Sequence, residues 1–231
     1  MDIPIQDLTT FRIPRFSIND IDMIYYINLD DRVMRKKHLL SQLNRLKIPK
    51  EKITRISATY MPFNPQVGCA ASHIEALTRA YRLEHETILI LEDDFEFTID
   101  LTQLNQVIDD IYYANPSWKV LQLSAVHQTT SPVQKTVNKN NESTIHFERV
   151  IKADTTAAYL IKRDVIPLLI PYFKQCIQLQ NRRYPIDVLW NTLQPRISWY
   201  ITTPHIGKQC EAFPSDIDSY RTSGYQIASL Q

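Results

Sequence analysis

Glycine is nearly missing from this chain: Gly68, Gly207 and Gly224 are the only three in 231 residues. That scarcity excludes a glycine-rich phosphate loop of the Rossmann or Walker kind. Any bound phosphate must then be held by a metal ion, basic side chains or helix N-termini. Cysteine is equally sparse, and Cys69, Cys176 and Cys210 stand far apart with no paired spacing. Such spacing argues against a zinc site or a disulfide framework and for a reducing compartment. No apolar run approaches the roughly 18 residues of a membrane span. The first twenty residues mix Asp and Arg with apolar side chains and show no signal-peptide core. Charge is balanced, with a formal net of +1, so no basic excess favours a nucleic acid partner. Asn141-Glu142-Ser143 has the form of a glycosylation acceptor but, without a secretion signal, reads as chance. The expectation is a soluble, cytoplasmic protein.

What the chain does have is an abrupt acidic strand end. Ile88 to Leu91 are apolar and run straight into Glu92, Asp93 and Asp94, with Glu96 close behind. An unbroken apolar run of this kind reads as a strand buried on both faces of a parallel sheet. Ionised groups at the rim of a core must be solvated, paired or bound to a cation. Strand alternation places Glu92 and Asp94 on one face and Asp93 on the other. Two carboxylates on one face suit Mg²⁺ or Mn²⁺, which keeps waters and bridges to phosphate oxygens. The alternative is a solvated acidic turn that only ends the strand.

Around this strand the elements alternate. Residues 1–20 read as an extended arm, and Ile21 to Leu29 as a first buried strand. Asp30 or Asp31 is expected to cap a helix reaching about Lys47, with Leu39, Leu40, Leu43 and Leu46 at helical spacing. Lys52 to Ala58 reads as a strand, 70–85 as a helix entered through Gly68, 101–113 as an amphipathic helix and 119–125 as a strand. Residues 127–144 are polar and read as a mobile loop. Strands are expected over 145–152, 156–161 and 199–203. Helices are expected over 164–179, interrupted near Pro167 and Pro171, and around 186–193. Alternating strand and helix means α/β, with a mostly parallel central sheet flanked by helices. Ligands are expected at the strands' C-terminal edge.

Several segments in this order resemble glycosyltransferase family 25, which includes lipooligosaccharide β-galactosyltransferases and procollagen galactosyltransferases. Tyr26-Ile27-Asn28-Leu29 resembles the opening motif, with Arg35 where a basic residue is expected. Gly68-Cys69-Ala70-Ala71-Ser72-His73 is similar to a Gly-Cys-x-x-Ser-His helix start. Leu91-Glu92-Asp93-Asp94 resembles the acidic motif, a version of the Asp-x-Asp signature. Thr156 to Ile161, Ile186-Asp187-Val188, Pro204 with Gln209, and Ser215-Asp216-Ile217 resemble later motifs. Thr155 departs from the family's usual glycine, and Asp31 from its common arginine.

The resemblance implies a single GT-A-like domain over 21–231. Its nucleotide-sugar-binding half is 21–125 and its acceptor-side half 126–231. It implies inverting transfer of a hexose, galactose or glucose, from a UDP-sugar to a glycan or hydroxylysine-type acceptor, with Mn²⁺ or Mg²⁺. On that footing Asp94 is the preferred metal ligand. Glu92 is a second ligand or a ribose contact, and Asp93 holds neighbouring backbone or basic groups. His205, after the last strand, is read as a third metal ligand or as structural. Asp187 is read as the general base, as a helix N-cap or as a structural residue shaping the acceptor pocket. Asn28 and Leu29 end the first strand, where Asn28 meets uracil or ribose, and Arg35 lies near the phosphates or is an ordinary solvated helix charge. Gly68, Ser72 and His73 belong to the donor site, with Ser72 and His73 in a first helical turn that favours an anion. A buried, hydrogen-bonded His73 is the alternative. Trp118, Trp190 and Trp199 receive no role. Two other readings stay open: a nucleotidyltransferase or phosphohydrolase on the same acidic strand end, and a non-catalytic binding member of the fold.

Overall fold

A computed structural model of the chain describes residues 16–131, 145–181 and 183–213. Its centre is an eight-stranded sheet in the order β2-β1-β3-β8-β5-β9-β7-β6. The strands are β1 (Met23–Asn28), β2 (Ile53–Ser57), β3 (Thr87–Glu92), β5 (Val120–Gln122), β6 (Gln128–Ser131), β7 (His146–Ala153), β8 (Ala158–Lys162) and β9 (Trp199–Thr203). β1 pairs in parallel with β2 and β3, and β5 with β9. β8 is antiparallel to β3 and β5, and β7 is antiparallel to β9 and β6. Only β8 and β7 therefore oppose the common direction, and the sheet is mixed but mostly parallel. β4 (Phe95–Phe97) and β10 (Gly207–Gln209) form a separate antiparallel pair.

Helices cover both faces, as the apolar strands require. Along β3, Leu89 and Leu91 join a core with Ile24, Tyr26, Leu39, Leu43 and Ile108. These come from β1, α1 (Val33–Arg45) and α3 (Leu101–Ala114). Ile88 and Ile90 join the opposite core with Tyr25, Ile27, Leu77, Phe173 and Trp190. That face is covered by α2 (Pro65–Arg82), α4 (Ile166–Leu179) and the short α5 (Ile186–Leu189). Period-two alternation along one strand thus feeds two cores. Trp118, Trp190 and Trp199 are fully buried in them.

Five expectations change, the first being that α4 runs unbroken from Ile166 to Leu179 with Pro171 inside it. Neither Asp30 nor Asp31 caps α1: Arg32 is the N-cap residue and makes no side-chain capping bond. Asp30 instead pairs with Arg55 and accepts from Ser57, while Asp31 pairs with Arg32. α2 starts at Pro65 rather than near Ala70, because a proline at the first helical position has a suitable fixed φ and lacks only an amide that the helix leaves unpaired. Gln128 to Ser131 form an edge strand on β7, and 132–144 lie outside the described residues. The inner end of the N-terminal arm is also packed: Phe16 stacks on Tyr112 with ring centroids 4.3 Å apart. Residues 1–15 of that arm lie outside the described residues.

At the far end of β8 from the acidic corner, Lys162 Nζ stands 4.0 Å from the Tyr112 ring centroid and 4.6 Å from that of Trp118. It donates to Tyr112 Oη at 2.7 Å and Thr87 Oγ1 at 2.8 Å. Burial lowers its pKa to about 8, with Lys119 acting the same way and Asp22, Asp164 and Glu86 opposing. Between about pH 8 and the ordinary lysine value near 10.5 the folded state binds fewer protons than the unfolded chain. Stability from this group therefore rises with pH across that window. The melting temperature of wild type relative to Lys162→Met should climb from about pH 8 to about pH 10; a constant difference would contradict the assignment.

Candidate functional site

The C-terminal ends of β1, β2 and β3 open into a cleft of about 730 Å³, within the usual size of small-molecule sites. Its lining combines Asn28, Leu29 and Arg35, the loop 58–62, the first half of α2, the acidic corner, Asp154 to Thr156, Asp187 and Gln209. Parallel strands with aligned C-terminal ends create such a crevice by construction.

The acidic corner is arranged differently from simple strand alternation. β3 ends at Glu92, and Asp93-Asp94 turn the chain into β4, so the period-two rule stops there. Arg35 Nη1 lies 3.2 Å from Asp93 Oδ1 and 3.5 Å from Asp94 Oδ2, which puts both aspartates on one cation. Asp93 Oδ2 also accepts from Asn28 Nδ2 at 2.7 Å. Asn28 Oδ1 accepts from Arg55 Nε at 3.0 Å, so buried Asn28 is a strut between Arg55 and the corner. Leu29 accepts the Arg32 amide through its carbonyl at 3.1 Å and lines the cleft beside it.

Glu92 is held separately. Its Oε1 accepts from Thr156 Oγ1 at 2.7 Å and meets His73 Nε2 at 3.4 Å. Burial pushes the Glu92 carboxyl up, but His73, Thr156 and Arg35 outweigh it and the net shift is downward. Since an ionised carboxylate only accepts, Nε2 of His73 carries the hydrogen facing it; Nδ1 meets the Tyr159 hydroxyl at 3.0 Å.

Asp94 behaves in the opposite way. Burial and repulsion from Glu92 and Asp93 raise its pKa to about 7 against the pull of Arg35 and Gln209. Its Oδ1 is buried without a hydrogen-bond partner among the described residues. Asp93 has both oxygens occupied by Arg35 and Asn28, so the donors left for a hard divalent cation are the orphaned Asp94 Oδ1 and the Glu92 carboxylate that repels it.

Ser72 and His73 lie in the third turn of α2, not the first, because the helix begins at Pro65. The free amides expected of a first turn are therefore not at these residues. Ser72 Oγ instead donates to the Gly68 carbonyl at 2.7 Å and accepts the Thr59 amide at 2.9 Å, which fixes the cleft-lining loop. Gly68 lets the same loop approach through another atom: a Cβ there would stand 2.4 Å from the Thr59 carbonyl oxygen. Backbone cannot swing away as a side chain can. Gly68→Ala is therefore expected to cost about 1–3 kcal/mol, the usual scale of overpacking, and to displace the loop. The urea midpoint checks the first, and faster hydrogen exchange at the Thr59 amide the second.

Asp187 is the second residue of α5, whose N-cap is Pro185; the N-cap reading is corrected. Its Oδ2 accepts the Thr155 amide at 3.1 Å. Thr155 has φ of 86°, a left-handed backbone that a β-branched residue adopts at a cost. Glycine would adopt this φ freely, and with threonine here Asp187 anchors the backbone. Gln122 Nε2 donates to the Thr155 carbonyl at 3.0 Å from the other side. Burial raises the Asp187 pKa, as do Asp154 and Glu92, while the Thr155 amide lowers it. Glu92 is close enough to repel both Asp94 and Asp187.

His205 is not brought to this group. It meets Gln128 Oε1 at 2.8 Å and is not among the cleft residues, so the structure gives no support to a third ligand there. Instead Cys69, His73 and Glu92 present ligand atoms within 4.8 Å of one another. Burial, with Glu92, Asp187 and Cys176, pushes the Cys69 thiol well up, so it stays protonated. In the sequence Cys69, Thr156 and Gln209 stand out only as members of motifs; their contacts with the acids depend on strands far apart in the chain. Ser215 to Ile217 lie outside the described residues.

No curated protein matches the chain in sequence. Among solved structures it is similar to a glycosyltransferase involved in the glycosylation of the major capsid of PBCV-1, at 9% identity and TM-score 0.46 over 78% of this chain and 80% of that one. It is also similar to mannose-1-phosphate geranyltransferase from Thermus thermophilus, at 8% identity and TM-score 0.46 over 78% and 72%. A third similarity is to A197 from STIV, at 12% identity and TM-score 0.42 over 78% and 80%. No helix among the described residues is long and apolar enough to cross a membrane. The family model for glycosyltransferase family 25 (LPS biosynthesis protein) matches residues 63–190. That span is more than half of the chain and includes every carboxylate lining the cleft, from Glu92 to Asp187, and with it the chain belongs to glycosyltransferase family 25.

Proposed function

We propose that this glycosyltransferase moves a hexose, galactose or glucose, from a UDP-sugar to a glycan or hydroxylysine-type acceptor, with inversion and with a divalent cation. The observation that carries the reading is the buried, unpartnered Asp94 Oδ1 in an acidic corner where Asp93 and Asp94 share a single arginine. Asp94 and Glu92 would hold Mn²⁺ or Mg²⁺, which when bound supplies positive charge beside the departing diphosphate.

The remaining chemistry belongs to the chain. Arg35 holds Asp93 and Asp94 in register and adds a fixed positive charge at the donor end. Asn28, Leu29 and the loop 58–62 shape the wall against the nucleoside. The acceptor hydroxyl oxygen attacks the anomeric carbon from the side opposite the diphosphate. The bond from that carbon to the diphosphate oxygen breaks, and UDP leaves with the electron pair. Asp187 takes the hydroxyl proton. Its raised pKa suits a base, since burial makes the carboxylate more willing to accept a proton.

A donor screen tests this. With Mn²⁺ present, the full chain should release UDP from a UDP-hexose, and a chelator should stop it. Release of pyrophosphate or inorganic phosphate would favour the nucleotidyltransferase or phosphohydrolase reading. Failure to bind or turn over any UDP-sugar would overturn the proposal.

A further inference from the structure

Behind the acidic corner, outside the cleft lining, a second set of ligating side chains converges. His38 on α1, Glu96 on β4 and Cys210 directly after β10 place one ligand atom each within 4.8 Å of one another. We infer that these three residues bind a thiophilic divalent cation of the zinc class, with water in the fourth position. The inference stands apart from the transferase reading and uses none of its ligands.

Three observations support it. First, His38 Nε2 is buried and has no hydrogen-bond partner among the described residues, which leaves a desolvated nitrogen uncompensated. Second, Glu96 divides its oxygens: Oε2 lies 3.9 Å from His38 Nε2, and Oε1 lies 3.6 Å from Lys208 Nζ. The first separation is too long for a hydrogen bond. It is close to the about 3.4–3.6 Å between two ligands of one tetrahedral ion at zinc bond lengths. Third, thiolate, imidazole and carboxylate together select zinc-like ions over magnesium or calcium. The Cys69–His73–Glu92 group lacks the first feature, because both His73 nitrogens already have partners. Widely spaced cysteines hide such a site in the sequence, since its ligands come from three elements.

The site would brace the active corner. Cys210 N–H donates to the Asp94 carbonyl at 2.7 Å, and Arg35 lies one turn before His38 on α1. An ion here therefore ties α1 to the β4–β10 pair that adjoins Asp94. On binding, the Cys210 thiol releases its proton to solvent and the sulfur donates the vacated pair to the ion.

Co²⁺ titration of the full chain without nucleotide tests the site. Wild type should develop a thiolate-to-cobalt charge-transfer band that saturates at a single ion per chain and is displaced by Zn²⁺. Cys210→Ser should abolish the band, and Cys69→Ser should keep it. His38→Ala should weaken Zn²⁺ binding by about 100-fold, the upper range even for groups that only support a ligand. Absence of the band in wild type would overturn the inference. So would a band that survives Cys210→Ser but disappears in Cys69→Ser.

Discussion

Asp94→Asn should keep the fold and reduce UDP affinity, measured with Mn²⁺, by about 100-fold or more, to the level wild type shows with a chelator. The fold survives because the backbone contact from Cys210 to the Asp94 carbonyl does not involve the side chain. Stability without metal should even rise at neutral pH, because the substitution removes a carboxylate that burial, Glu92 and Asp93 together disfavour more than Arg35 favours it. Calorimetry with UDP, with and without Mn²⁺, measures the affinity, and a thermal melt measures the stability. Equal UDP affinity in the two proteins, indifferent to metal, would remove Asp94 from donor binding.

Asp187→Asn should lower sugar transfer by about 10²-fold or more, the scale of a lost positioned base, while UDP and cation affinities stay near wild type. Asparagine is the informative choice because its carbonyl oxygen still accepts the Thr155 amide that Asp187 now holds at 3.1 Å. If anchoring were the whole role of Asp187, this variant would retain turnover. The strained backbone provides a second control. Thr155 at φ 86° costs about 1–3 kcal/mol that glycine avoids. Thr155→Gly should therefore restore stability to Asp187→Ala without restoring transfer. Recovery of transfer in that double variant would assign Asp187 to positioning alone.

Long apolar periodicities showed the architecture in the sequence. The runs forming β1 and β3 and the leucines of α1 were legible because burial on two faces leaves few polar residues to blur them. Signals that depend on tertiary contact were not. Gly68 reads as a helix start in isolation, yet it lies inside α2, where it lets the Thr59 carbonyl approach. That one shift moved Ser72 and His73 from a first turn to a third. β6 is polar and pairs on one side only, as edge strands do, so nothing in its composition separates it from a loop. The acidic motif marked the cleft but not its wiring. Asp93 and Asp94 share Arg35 because the chain turns after Glu92, and Glu92 is held by Thr156 from a segment 64 residues away. His205 meets Gln128 outside the cleft lining, since nearness in sequence to a strand end does not decide which strand end a side chain faces.

Anomalous scattering from a crystal grown with UDP and Mn²⁺ tests the central claim most directly. The account predicts a manganese peak within bonding distance of Asp94 Oδ1, with the diphosphate beside it and the uridine against Asn28 and Leu29. A manganese peak among Cys69, His73 and Glu92 without Asp94, or UDP bound in the cleft with no cation, would contradict it.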